Sequence, residues 1–230
     1  MDTQQRWRVV FAKRSPIKYV AHLDLCQAWE RALRRAGLPL AYSQGFNPQA
    51  RLQIAAALPV GYTACAELMD IILARPIESD SLLGRLRPVL PLGLEALDAR
   101  VVDLKTKSLQ SSLCQAEYHV TLSTALSQPE IERRLTQFMS QTHFEHRRTR
   151  KQRAETIDLR PLVENMQVVS VTSGEALLWL RVHAGATGNV RPETVLDALG
   201  LTPAPMQIER TRLILDNDAL AILSGGPFAL

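Results

Sequence analysis

The sequence predicts an α+β fold that consists of two tandem ferredoxin-like units, each with βαββαβ order and an antiparallel sheet. Two observations predict this class. Alternating apolar residues, which indicate strands, and apolar residues at helical spacing follow one another in the same order in both halves of the chain. A polar, serine-rich stretch between the halves favours a linker. We therefore expect a first unit at residues 1–104, a linker at 105–114, a second unit at 115–216 and a C-terminal tail at 217–230.

The first unit opens with a strand at residues 6–13, where one face is more apolar than the other. A helix follows at residues 23–36, because apolar residues recur there at helical spacing, and Gly37 and Pro39 end it. The remaining elements are, in order, a strand at 51–58, a turn at 59–61, a strand at 67–74, a helix at 81–90 capped by Ser79 or Asp80, and a strand at 95–103.

The second unit repeats this order of elements without a visible repeat of residues. Its helix begins at the capping-box signature SQPE, residues 127–130. We expect its central strand pair to join a charged arm within residues 144–157 to the apolar segment 176–183. The other elements are a first strand at 117–123, a helix at 191–200 with Pro192 inside its start, and a last strand at 207–215.

Composition excludes two classes of protein. Hydrophobic residues make up 46% of the chain and charged residues 22%, which excludes a wholly disordered chain. No apolar run approaches the roughly 20 residues that cross a bilayer. The first residues also lack the layout of a signal peptide. We therefore expect a soluble, cytoplasmic protein with no membrane partner.

The three cysteines, Cys26, Cys65 and Cys114, lie far apart in the sequence. This spacing argues against a disulfide framework and against a zinc site. It also excludes the CxxxCxxC loop that holds the iron–sulfur cluster of a radical-SAM enzyme. We expect each cysteine to be a small buried hydrophobe, and we expect neither a metal nor a cofactor in this chain.

One candidate site lies at the start of the first helix. His22 and Asp24 are two residues apart, and the carboxylate could orient the imidazole for acid–base chemistry. The alternative is that Asp24 favours the positive end of the helix while His22 packs or caps. We assign a catalytic role to neither residue.

A second candidate lies at the end of the same helix, where Arg31 and Arg35 share a face and Arg34 stands beside them. Guanidinium groups match phosphate oxygens, so this face is a candidate phosphate-binding surface. The alternative is a solvated helix end that Glu30 partly neutralises. The net charge of +4 alone is weak support for a nucleic-acid partner, because clustering matters more than the total.

A third candidate is the loop that follows, in which a glycine and a proline bracket an aromatic residue and an amide. Phe46 could stack on a base while neighbouring polar groups contact base edges. The alternative is that Phe46 folds back under the sheet. The candidate binding residues of this loop are Tyr42, Ser43, Gln44, Gly45, Phe46 and Asn47.

The second half carries a separate basic segment, with five cationic residues in the seven positions from 147 to 153. Such a run can lie along a phosphate backbone, although runs of like charge are also typical of solvated arms and of contacts with acidic proteins. Asp158 and Arg160 follow it and could bind with it or form an ion pair that fixes the turn before Pro161. The cationic candidates are Arg147, Arg148, Arg150, Lys151 and Arg153.

An ordered set of motifs resembles the DUF2344 family, also called the radical-SAM-linked proteins. The motifs are RWRVVFAK at 6–13, HLDL at 22–25, RALRRAGLP at 31–39, YSQGFNP at 42–48, LPVG at 58–61, AELMDIIL at 66–73, ETIDLRP at 155–161, the Arg191-Pro192 pair and ERT at 209–211. Members of this family occur fused behind a radical-SAM domain or as separate proteins, often encoded near genes for ribosomal proteins and ribonuclease G/E. The resemblance implies the separate form here and no assigned activity.

Family members often have a histidine after the GFNP stretch. This chain has Gln49 there, so no metal or acid–base role is expected at that position.

These features together lead to one functional expectation and two alternatives. We expect an RNA-binding accessory module for tRNA or rRNA that works with a radical-SAM protein and is not an enzyme on its own. The first alternative is an RNA-processing or RNA-modifying enzyme that uses His22 and Asp24. The second is a protein-interaction subunit that binds no RNA.

Overall fold

A computed structural model describes residues 4–78, 81–150, 153–186, 188–202 and 204–216, with the backbone alone described at 148–150, 153 and 154. The chain divides into two compact units. The first comprises the chain up to Leu113 together with Leu215 and Asp216, and the second comprises Cys114–Ile214. The fold class is α+β, because antiparallel strands dominate both units and helices are few.

The first unit has the element order β-α-β-β-α-β, followed by a short helix. Its elements are β1 (Gln5–Lys13), α1 (His22–Arg35), β2 (Leu52–Ile54), β3 (Thr63–Leu73), α2 (Ser81–Leu86), β4 (Leu94–Val102) and α3 (Leu109–Ser112). The strands lie side by side in the order β2-β3-β1-β4, and all three pairings are antiparallel.

Helix α1 forms where the apolar spacing predicts it. Leu25, Trp29 and Leu33 are buried on one face of the helix, while the opposite face is exposed. The helix stops at Gly37, whose φ of 64° is a backbone conformation that residues with a Cβ rarely adopt. The Leu38 N–H then donates to the Leu33 carbonyl, a bond typical of a Schellman ending.

The core of the first unit lies between α1 and one face of the sheet. Trp7, Val9 and Phe11 of β1 are fully buried there. Phe11 meets Trp29 of α1 edge to face, with 5.0 Å between the ring centroids. Since alternate residues of a strand point to opposite faces, Arg6 and Arg8 lie on the other side of the sheet.

On that other side, two buried arginines share one buried carboxylate. The Nε of Arg6 donates to Asp70 Oδ2 at 3.0 Å, and the Nε of Arg8 donates to Asp70 Oδ1 at 2.9 Å. Arg6 also donates to the backbone carbonyls of Thr106 and Lys107. Strand register brings these groups together, because Arg8 of β1 lies directly opposite Asp70 of β3.

Two elements of the first unit are shorter than the sequence predicts. The strand expected at 51–58 is β2, which is only Leu52–Ile54, since the chain leaves the sheet edge once the Ala55 N–H has bonded to Leu68. The helix expected at 81–90 changes to a 3-10 turn at Arg87–Val89, where Pro88 has no N–H to donate. The predicted caps Ser79 and Asp80 lie outside the described residues.

The second unit contains both expected helices and one β-hairpin more than expected. Its elements are β5 (Leu113–Ser123), α4 (Gln128–Met139), β6 (Glu145–Arg150), β7 (Arg153–Asp158), β8 (Val163–Thr172), β9 (Glu175–Gly185), β10 (Gly188–Asn189), α5 (Pro192–Ala198) and β11 (Met206–Leu215). The main strands lie in the order β8-β9-β5-β11, with β10 also beside β9, and β6 and β7 form a separate two-stranded sheet. Helix α4 begins at the predicted capping box, where the Ser127 N–H donates to the Glu130 carboxylate at 2.8 Å.

The prediction for the central strand pair of this unit is wrong. The partner of β9 is β8, whereas the charged arm pairs only with itself as β6 and β7. Two register shifts interrupt β8, between Val163 and Asn165 and between Val168 and Ser170. Each bulge breaks the period of two, so the strand has no continuous alternation that the sequence could reveal.

The segment predicted as a linker has structure of its own. Residues 109–112 form helix α3, with Leu109 fully buried and the Ser108 side chain accepting from the Ser111 N–H. The cysteines also differ from expectation, since Cys26, Cys65 and Cys114 are all partly exposed and none is in a disulfide. The predicted tail at 217–230 lies outside the described residues.

Candidate functional site

A protruding loop, residues 42–50, interrupts the edge of the first unit's sheet; we call it the GFNP loop. The chain pairs with β3 at Leu40, leaves the sheet, and returns to β3 at Leu52. Three bonds close the neck of the loop: the Arg51 N–H donates to Ala41 O at 2.9 Å, the Ser43 N–H to Gln49 O at 2.9 Å, and the Gln49 N–H to Ser43 Oγ at 3.0 Å. The base of the GFNP loop is therefore fixed to the sheet.

The tip of this loop presents an aromatic side chain to solvent. Phe46 has a relative exposure of 107%, so it does not fold back under the sheet. Gly45 has a φ of 131°, which is accessible to glycine and strained for other residues. The polar residues Ser43, Gln44 and Asn47 are exposed beside it.

The three arginines at the end of α1 have different roles. Arg34 donates from Nε to the Tyr42 hydroxyl at 2.9 Å and from Nη2 to Glu30 at 2.6 Å, and its guanidinium lies 5.6 Å from the Tyr42 ring centroid. The bond to Tyr42, followed by the charge of Glu30, raises the pKa of Arg34. Arg35 donates to the Val89 carbonyl. Arg31 is exposed and makes no hydrogen bond or ion pair within the described residues.

Arg34 therefore links the helix to the neck of the GFNP loop, and Arg31 is the guanidinium left available for a ligand. This arrangement places an exposed ring and an uncompensated positive charge on elements that are fixed to the same sheet. The glutamate predicted to neutralise the helix end acts on Arg34 alone among these contacts.

An open cavity of about 480 Å³ lies beside β2; we call it the edge cavity. One wall is the start of α1 and the other is α3, and the floor is strand backbone and side chains. The lining residues with polar side chains are His22, Cys26, Arg51, Gln53 and Gln110.

Within the edge cavity, the partner of His22 is Cys26 and not Asp24. The two side chains are four residues apart on α1, and His22 Nε2 lies 3.8 Å from Cys26 Sγ. Burial raises the pKa of the Cys26 thiol, which keeps it protonated. Asp24 is exposed, and no contact between it and His22 is found in the described part of the chain. The geometry therefore does not form the His–Asp pair that the sequence suggests.

Sequence reasoning missed most of the cavity lining. The spacing of four between His22 and Cys26 was a usable signal, because such residues share a helical face. Gln110 gave no local signal, since it comes from α3 and reaches Ile54 O of β2 with its side-chain amide at 3.3 Å.

The basic segment of the second unit is the hairpin of β6 and β7; we call it the basic hairpin. Its register sets Arg148 opposite Glu155 and Arg150 opposite Arg153. Arg147 is exposed, and Lys151 lies outside the described residues.

The base of the basic hairpin is clamped by Asp158, which follows the arginines in the sequence. Asp158 accepts from the backbone N–H of Phe144 at 2.8 Å and of Arg160 at 3.1 Å, and it lies 2.6 Å from His143 Nδ1. These bonds, the Phe144 amide first, lower the pKa of Asp158. The same carboxylate, followed by Glu145, raises the pKa of His143.

The ion pair expected between Asp158 and Arg160 does not form in the described structure. The Arg160 guanidinium donates instead to Met139 O at 3.2 Å and to Val163 O at 2.7 Å. Met139 ends α4, and the carbonyls at a helix end attract a positive charge. Both side chains are thus engaged in contacts at the base of the hairpin.

Two further observations concern metal sites and membrane-spanning helices in the described residues. Among the residues described, no three His, Cys, Asp or Glu side chains are grouped so that they could hold a metal ion. No helix in the described ranges has the length and apolar character to cross a membrane.

The chain matches one family over most of its length. Residues 6–192 match the family described as "Uncharacterized protein conserved in bacteria (DUF2344)". No curated protein matches the sequence.

Several solved structures resemble the chain weakly. A chain of a Cbf5-Nop10-Gar1 complex aligns with a TM-score of 0.48 and 13% identity, and the alignment covers 89% of this chain and 48% of that one. A chain of an H/ACA RNP bound to a substrate RNA containing 2'-deoxyuridine aligns with a TM-score of 0.46, 13% identity and coverages of 89% and 47%. A chain of the archaeal box H/ACA sRNP Nop10-Cbf5 complex gives 0.47, 13%, 89% and 47%. This chain spans about half the length of these three.

Proposed function

From the premise that this chain belongs to the DUF2344 family of uncharacterised bacterial proteins, we propose that it is an RNA-binding accessory protein for tRNA or rRNA that works with a radical-SAM partner. The observation that carries the proposal is the GFNP loop, a fixed loop with a fully exposed phenylalanine at its tip and an unpaired arginine on the helix beside its base. The proposed binding residues are those of the GFNP loop, the arginines of α1 and the basic hairpin.

The exposure of Phe46 supports a stacking role. Burial of a phenylalanine side chain is worth about 1.5–3 kcal/mol, and Phe46 gains none of this in the folded chain. Stacking of a base on the ring would recover part of it, and every base has a face that can stack. Because two backbone bonds and one bond to the Ser43 side chain fix the neck of the loop, binding would cost little ordering of the protein.

The positive charges support contact with a phosphate backbone. Arg31 is exposed and unpaired among the described contacts, so a phosphate oxygen would meet an uncompensated guanidinium. In the second unit, the basic hairpin carries Arg147 on an ordered strand, so part of the basic segment is held in position for such contacts.

Two finer statements belong to the same proposal. The first is that both units are ferredoxin-like, which is supported by the strand orders β2-β3-β1-β4 and β8-β9-β5-β11. The second is the radical-SAM partner, which is supported by the family resemblance and by the lack of a CxxxCxxC motif in these 230 residues.

The test is fluorescence anisotropy with labelled tRNA and rRNA fragments at two salt concentrations. We expect Phe46→Ala to weaken binding by about 5- to 160-fold, which corresponds to roughly 1–3 kcal/mol for one stacked base. Leu92→Ala is the matched control, because Leu92 is also a large exposed apolar residue, at 83%. Arg31→Gln should lower the slope of log affinity against log salt by about 0.7–0.9.

Two results would overturn the proposal. One is that no tRNA or rRNA tested shows salt-dependent binding, and the other is that Phe46→Ala and Leu92→Ala lower the RNA affinity equally. A tagged pull-down from native cells, with sequencing of bound RNA, then identifies the target and the partner. Capture of protein without RNA would instead favour an interaction subunit. RNA cleavage that His22→Ala abolishes would favour an enzyme.

A further inference from the structure

We infer that the edge cavity is a binding site for a single unstacked nucleotide, with its base against α1 and α3 and its phosphate at Arg51. This inference rests on the proposed function, because the nucleotide would belong to the RNA strand that contacts the GFNP loop. It adds a second, separate contact whose chemistry is different from stacking on Phe46.

The size and position of the cavity fit one nucleotide. Its volume of about 480 Å³ lies in the range of roughly 300–1,000 Å³ that small-ligand sites occupy. It opens beside β2, a strand that pairs with β3. Ile54 O of β2 is occupied by the Gln110 amide, so the α3 wall is attached directly to the strand.

The polar groups of the walls are mostly neutral, and neutral amides can form hydrogen bonds with a base edge. Gln53 and Gln110 carry amides, each of which can both donate and accept hydrogen bonds. His22 Nδ1 is buried and has no hydrogen-bond partner in the described part of the chain. Because that atom is out of reach of a ligand, His22 contributes its ring surface, and not this nitrogen, to the cavity.

His22 and Cys26 contact each other on the α1 wall of the cavity. Burial keeps the Cys26 thiol protonated, so its S–H can donate to Nε2 at 3.8 Å. The neutral walls disfavour a ligand that is mainly ionic, such as phosphate alone.

Arg51 connects the edge cavity to the GFNP loop. Its backbone N–H closes the neck of the loop at Ala41 O, and its side chain lines the cavity. The Arg51 side chain is exposed, and the partner found for it is the neutral Gln4, whose Oε1 lies 2.9 Å from Nη1. Its charge therefore has no acidic partner among the described contacts, and it is available to a phosphate between the stacked base and the base in the cavity.

The test is calorimetric titration of the whole chain with UMP, CMP, AMP and GMP, with uridine and inorganic phosphate as separate arms. NMR of the histidine ring nitrogens follows His22 in the same samples. We expect at least one mononucleotide to bind below about 10 mM, to shift the His22 resonances, and to bind at least tenfold more tightly than phosphate alone.

Gln110→Ala should weaken this binding by at least about tenfold, or roughly 1.4 kcal/mol. Gln141→Ala is the matched control, because its amide also donates to a backbone carbonyl at 3.3 Å, in this case that of Gln137. His22→Ala should weaken nucleotide binding at least as much, and circular dichroism checks that this variant is folded. If the His22→Ala variant does not fold, Gln110→Ala still decides the test.

The inference is wrong if no mononucleotide binds below about 10 mM, if phosphate binds as well as the nucleotides, or if Gln110→Ala and Gln141→Ala behave alike. Its failure is distinguishable from failure of the proposed function. RNA binding that depends on Phe46 without nucleotide binding overturns the edge cavity alone. Nucleotide binding that depends on Gln110, with RNA binding that is indifferent to Phe46, supports the cavity and overturns the role of the loop.

Discussion

Removal of the buried carboxylate of Asp70 should strongly destabilise the first unit. Asp70 is 4% exposed, and its two partners, Arg6 and Arg8, are 7% and 1% exposed. Four side-chain hydrogen bonds converge on this one carboxylate. In Asp70→Asn an amide N–H group replaces one of the accepting oxygens, so at least one guanidinium faces a donor in the interior.

The expected loss of stability depends on which hydrogen bonds each arginine retains in the variant. Arg6 still donates to the backbone carbonyls of Thr106 and Lys107, so it loses only part of its compensation. For Arg8 the bonds found are those to Asp70, and its Nη1 has no partner in the described structure. Loss of one partner from a buried ion pair costs about 3–5 kcal/mol. For a chain of this size that corresponds to a decrease in Tm of roughly 6–20 °C.

The assay is urea denaturation followed by tryptophan fluorescence, since Trp7 and Trp29 are both fully buried in the first unit. The control is Asp98→Asn, which removes one partner of Arg100 in a pair whose side chains are 33% and 27% exposed. Such a pair is worth at most about 1 kcal/mol. The reasoning is refuted if Asp70→Asn costs no more than the control.

Two further predictions concern a titration and a turn. His143 should titrate above the ordinary histidine pKa of about 6.5, and Asp158→Asn should return its pKa toward that value, as NMR of the ring protons would show; an unchanged pKa would contradict the hydrogen bond. Because the pKa of His143 is raised in the folded state, the stabilisation that His143 contributes is complete below its unfolded pKa and is lost as pH rises through its folded pKa. The pKa of Asp158 is lowered instead, so the stabilisation that Asp158 contributes is lost as pH falls through its folded pKa. Gly93→Ala should destabilise more than Gly61→Ala in thermal unfolding, by about 1 kcal/mol or more. Both glycines have a φ near 90°, but only at Gly93 would an added Cβ be crowded, 3.1 Å from a neighbouring side-chain carbon; at Gly61 it would meet nothing within 4 Å. Equal losses of unfolding free energy in the two variants would therefore exclude the steric contribution.

Much of the candidate site could be predicted from local sequence. The GFNP loop and the end of α1 stand out because glycine, proline, an aromatic residue and arginines act through short-range rules of turn geometry and helical spacing. What local sequence left open was the direction of Phe46, since exposure and burial of a loop side chain depend on how the neck is attached to the sheet. The bond between Arg34 and Tyr42 and the closure at Arg51 settle that attachment.

By itself, the sequence determined the α+β class, helix α1 with its end at Gly37, the start of α4, and the family. These depend on periodicity, caps and motifs within a few residues of one another. Only the tertiary structure decided that β8 and not the charged arm pairs with β9, that Arg8 faces Asp70, and that Gln110 joins His22 at the edge cavity. The physical reason is the same in each case: strand register and bulges bring together residues that are distant in sequence, and no local pattern encodes which of them will meet.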